Sequence, residues 1–112
     1  MTTITVPLNI TPEAAQRITE RGLKEPLDQM IEQAVKMVPG IRRIEISLEG
    51  PYDTHDEPYL DATAYRDPRF FQESDPVTPE ERQYDSWIVE AFPDDVRWQV
   101  MLSIYWDGPD AR

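Results

Sequence analysis

The chain has 112 residues, the size of one domain, with no cysteine and a single histidine. The lack of thiols excludes disulfides, thiolate metal centres and cysteine nucleophiles from its own chemistry. Its net charge of −11 is uneven: residues 1–40 carry four basic and five acidic side chains, whereas residues 41–112 carry seven and seventeen, a surface that repels nucleic acid and anionic lipid.

Thr2 to Leu8 alternates, with Ile4, Val6 and Leu8 on one face and Thr3 and Thr5 on the other. This predicts a short strand, and Pro7, lacking an amide hydrogen, makes it an edge strand or ends it. Thr11-Pro12-Glu13 is a helix start: an N-cap, a proline at the first helical position and an acid in the first turn. That helix should run to Arg21 and stop at Gly22. A second helix is predicted from Pro26 to Val38, because Leu27, Met30, Ile31, Ala34, Val35 and Val38 recur at helical spacing. Pro39-Gly40 terminates it and marks the one candidate sub-boundary in an otherwise single domain spanning 1–112.

Ile41 to Glu49 alternates Ile44, Ile46 and Leu48 with polar residues, the pattern of a strand with one wet face. A polar loop follows Gly50-Pro51. Tyr59 to Arg66 reads as a strand whose two faces, Tyr59/Thr63/Tyr65 and Leu60/Ala62/Ala64, compete for the core. Thr78-Pro79-Glu80-Glu81 is a capping box that opens a third helix, ended by Phe92-Pro93. Val96 to Trp106 is predicted as the last strand, and its apolar content places it at the sheet centre. The fold class expected is an α+β two-layer sandwich in the order β-α-α-β-β-α-β, with a mainly antiparallel sheet and helices on one face.

Candidate chemistry is sparse. Asp53, His55, Asp56, Glu57 and Asp61 form a mixed imidazole–carboxylate cluster of the kind that suits zinc or manganese, although its spacing matches no established metal loop. It is the basis for one alternative reading, a small metal-dependent enzyme. No serine sits in a G-x-S-x-G elbow, the four glycines form no phosphate cradle, and no cofactor is expected. Trp87 and Trp98 are expected to meet across the helix–sheet interface. Phe70-Phe71, adjacent aromatics in a loop, read as a flap folding back on the core or as an interface anchor. Met101 and Tyr105, on the half-polar face of the last strand, are the other interface candidates.

Residues 1–40 resemble a ribbon-helix-helix module: a short strand (Thr2–Leu8), a helix (Pro12–Arg21), a glycine turn (Gly22) and a second amphipathic helix (Pro26–Val38). The resemblance covers about a third of the chain. It implies a dimer whose paired strands read the major groove, as in antitoxin-type regulators, with Thr3, Thr5 and Pro7 facing the bases. None of these offers the bidentate donors that such readers use. No apolar run nears the ~20 residues of a membrane span, and the N-terminal alternation lacks the basic start of a signal peptide. The expectation is therefore a cytoplasmic, non-catalytic interaction or regulatory domain. It would act as a homodimer or with a basic protein partner, away from membranes, with nucleic acid disfavoured.

Overall fold

Short polar punctuation sets most element boundaries in the computed structural model, which describes residues 6–50, 57–71, 73–75 and 77–107. The order is β1 (Leu8–Ile10), α1 (Pro12–Arg21), α2 (Lys24–Met37), β2 (Ile41–Glu49), β3 (Tyr59–Arg66), a 3-10 turn (Pro68–Phe70), α3 (Pro79–Ala91), α4 (Asp94–Arg97) and β4 (Val100–Trp106). Thr11 Oγ1 accepts a hydrogen bond from Ala14 N at 3.2 Å, satisfying one of the orphan donors of α1. Gly22 ends that helix in the left-handed region, φ 61°, where a side chain would be strained. Thr78 and Glu81 form the expected capping box, with Glu81 Oε2 3.4 Å from Thr78 N.

Two boundaries differ from expectation. Among the described residues the first strand is Leu8–Ile10, following Pro7, and residues 1–5 of the expected strand lie outside the described set. The last strand begins at Val100, because Pro93-Asp94-Asp95 starts a helical turn instead of a strand. Trp98 therefore caps α4 and is not a strand residue facing Trp87. Trp87 packs instead on Tyr84, at 5.9 Å between ring centroids, and edge-to-face on Phe92 at 5.6 Å.

The four strands form one mixed sheet in the order β1-β2-β3-β4. Only β2 and β3 run antiparallel; β1 pairs with β2, and β3 with β4, in parallel. The expectation of a mainly antiparallel sheet is thus corrected. A direct hairpin connection reverses the chain between β2 and β3, whereas the helical connections return it to the same end of the sheet. The expectation of a central last strand is corrected too: among the described residues β4 is an edge. Its apolarity reports one covered face, on which Val100 and Trp106 are buried, and says nothing about how many strands flank it.

The core lies against one face of the sheet. Ala14, Leu23, Leu27, Met30 and Ile31 from the helical segments cluster with Ile44, Ile46, Leu60, Ala62, Ala64 and Val100. This settles which face of β3 is buried: the leucine–alanine face. Buried residues on both sides of Pro39-Gly40 share this cluster. The fully buried Tyr84 hydroxyl donates to Met30 O at 2.8 Å and ties α3 to α2. Among the described residues no helix is long and apolar enough to cross a membrane.

Candidate interaction surface

Alternation along each strand turns every second residue away from the core. On β2 these are Arg43, Glu45, Ser47 and Glu49; on β3 Tyr59, Asp61, Thr63 and Tyr65; on β4 Met101, Ser103 and Tyr105. The register lines them into cross-strand rows. Arg43, Tyr65 and Tyr105 form one, Glu45, Thr63 and Ser103 the next, and Ser47, Asp61 and Met101 the third.

The first row is electrostatically closed. The Arg43 guanidinium lies 3.8 Å from the centre of the Tyr65 ring and 2.7 Å from Glu45. Arg42 and Arg43 each reach Asp107 at 3.0 Å. Hydrogen bonds from these two guanidinium groups, Arg43 first, hold the Asp107 carboxyl down at about 2. The third row is the opposite case. Desolvation, then the nearby Glu49 charge, pushes the Asp61 carboxyl above its ordinary range, and no ion pair joins it to a cation among the described residues. Ser47 donates to Glu49 at 2.9 Å.

Toward β4 the surface loses its charge. Val100 to Trp106 contains no Asp, Glu, Lys, Arg or His, and its outward side chains Met101 and Tyr105 are 48 % and 57 % exposed. Leu60 N donates to Gln99 O and Asp107 N to Arg66 O, both at 2.8 Å. Odd-numbered residues of β4 therefore bond to β3, and the peptide groups of Leu102 and Ile104 point to the other side. Among the described residues no strand pairs with β4 there. The opposite edge is guarded differently: β1 is three residues long and follows a proline.

The remaining sequence candidates disperse. Asp53, His55 and Asp56 lie outside the described residues. Glu57 turns to α1, pairing with Arg17 at 3.3 Å and with Arg21, while Asp61 lies on the open face of the sheet. Phe70 and Phe71 pack back on the fold: Phe70 covers Gly40 and lies 5.8 Å from the Arg66 guanidinium, and Phe71 meets Trp106 edge-to-face at 5.4 Å. Thr3 and Thr5 of the ribbon-helix-helix resemblance are outside the described residues, and Leu8–Ile10 pairs within the chain.

Sequence reading missed one constellation, the buried Arg66. It is 1 % exposed and donates to Glu81 Oε2 (2.7 Å), Thr78 Oγ1 (2.9 Å) and Pro39 O (3.0 Å), with the Trp106 ring 4.5 Å away. The available signal was an arginine in phase with Leu60, Ala62 and Ala64, followed by an acid in a helix's first turn. With those contacts Arg66 fastens four segments together. Comparison of the chain with protein-family models, curated proteins and solved structures gives no match in any of the three.

Proposed function

We propose that this chain is a non-catalytic protein-interaction domain that docks its partner by strand addition along β4. The carrying observation is the uncharged β4 edge, where Leu102 and Ile104 turn their peptide groups away from β3 and Met101 and Tyr105 stand exposed beside them. An edge strand without proline, charge or bulge is a template for a further strand. The architecture behind this reading is a two-layer sandwich with helices on one face. It is supported by one-sided burial along β2, β3 and β4, which leaves the second face of the sheet for contact.

Amide hydrogen exchange tests the reading. The backbone amides of Leu102 and Ile104 should exchange fast in dilute protein. They should slow when the chain is concentrated, or when a set of extended peptides of acidic, neutral and basic composition is added. Fast exchange at both positions under every one of these conditions would exclude β4 as a docking edge.

A further inference from the structure

The partner that β4 fits, given the reading above on which this rests, is a second copy of the same chain. We infer that two copies join β4 to β4 antiparallel about a two-fold axis through Ser103, extending the four-stranded sheet to eight strands. Three observations lead there.

The first is charge. Two copies of net −11 repel wherever their acids meet, and like charges set directly opposite in a sheet are destabilising. Val100–Trp106 is an uncharged seven-residue strand, so copies meet along it without opposing acids. The nearest charge, Asp107, is offset by Arg42 and Arg43 and falls opposite the neutral Gln99 of the second copy.

The second is hydrogen-bond complementarity. Leu102 and Ile104 both point their peptide groups outwards. In an antiparallel pair centred on Ser103 they sit opposite one another, Leu102 to Ile104 and Ile104 to Leu102, so each pair exchanges two hydrogen bonds.

The third is register. Centring on Ser103 is the one alignment that places all seven residues of β4 opposite strand residues of the other copy. It sets Met101 opposite Tyr105 on the open face, in a closely spaced pair that suits a sulfur–aromatic contact. The symmetry is isologous, so the edge closes on itself and no fibre propagates from it.

The contact is small. Seven residues at about 3.3 Å each span about 23 Å, and a sheet about 10 Å thick gives roughly 500 Å² over both copies. Standard stable interfaces start near 1,200 Å², so the dimer is weak and concentration-dependent.

The cysteine-free chain makes a direct test possible. Across the axis the two Ser103 Cα atoms would lie about 4.5 Å apart, within disulfide range. In the concentrated, mildly oxidised 112-residue chain, Ser103→Cys should form covalent dimers about tenfold or more faster than Met101→Cys or Tyr105→Cys, which have no symmetry mate opposite. Sedimentation adds a second readout. Met101→Glu with Tyr105→Glu should abolish self-association, and Met101→Lys with Tyr105→Glu should restore it by pairing opposite charges across the axis. Equal cross-linking rates for the three single variants, or a strict monomer at high concentration, overturns the proposal. If an extended peptide still protects the Leu102 and Ile104 amides in that case, β4 remains a docking edge with a different occupant; if none does, both readings fall together.

Discussion

Arg66 is the most deeply buried charged side chain among the described residues. Burying a guanidinium is tolerated because its charge meets the Glu81 carboxylate at 2.7 Å and two further oxygens, of Thr78 and Pro39, accept from its Nη1 and Nε. Such a pair is a poor source of net stability, but breaking it is costly because the remaining charge is stranded. Arg66→Met should therefore destabilise the fold by about 3–5 kcal/mol. Adding Glu81→Gln should return most of that loss, since glutamine removes the stranded charge and still serves the third position of a capping box. Urea unfolding of the single and double variants measures both steps. A double variant as unstable as the single one would mean that the arginine's packing on Trp106, at 4.5 Å, matters more than its charge.

At the scale of elements, local punctuation was legible and sheet order was not. Thr11-Pro12, Gly22, Pro39-Gly40, Thr78-Pro79 and Phe92-Pro93 act within a turn of themselves, so they mark α1, α2 and α3 in the sequence. The position of β4 depends on which strand lies beside which, and alternation in one strand carries no such information. The half-polar Met101, Ser103, Tyr105 face was the available sign of exposure, and it was outweighed by the apolar face that covers the core. Nor does sequence show what Gly40 does. Its φ of 88° belongs to the region that favours glycine, and a Cβ there would stand 2.5 Å from the Phe70 ring. This glycine lets the Pro68–Phe70 turn lie over the α2–β2 connection, where Asp67 N also donates to Gly40 O at 2.7 Å. Gly40→Ala should cost about 1–3 kcal/mol from backbone strain alone, and more from the collision. Combining it with Phe70→Ala should remove only the collision. Thermal melts that show no additional loss for Gly40→Ala when Phe70 is present would contradict the contact.

For the whole molecule, the excess of acids makes stability depend on pH through groups of opposite sign. Asp107, held at about 2 by Arg43 and Arg42, has a folded value below the ordinary carboxylate value of about 3.9. Its contribution is fully present above the unfolded value and is lost as pH falls through about 2. Asp61 behaves inversely. Desolvation and Glu49 raise its folded value, so its ionisation penalises the fold at neutral pH, and acidification relieves that penalty. Two neutralising substitutions should thus move stability in opposite directions at pH 7. Asp107→Asn should lower the melting temperature, and Asp61→Asn should raise it slightly, by up to about 0.5 kcal/mol of stability. Both differences should shrink as pH falls. The Asp61→Asn gain should vanish first, below the unfolded carboxylate value, whereas the Asp107→Asn deficit should persist to about pH 2. Melting curves of the three proteins from pH 7 downward separate these cases. A loss of stability at pH 7 in Asp61→Asn would show that this carboxylate is paired in solution. In that event the open face would hold a cation at its third row, and the uncharged stretch available to a second copy would end at β4 itself.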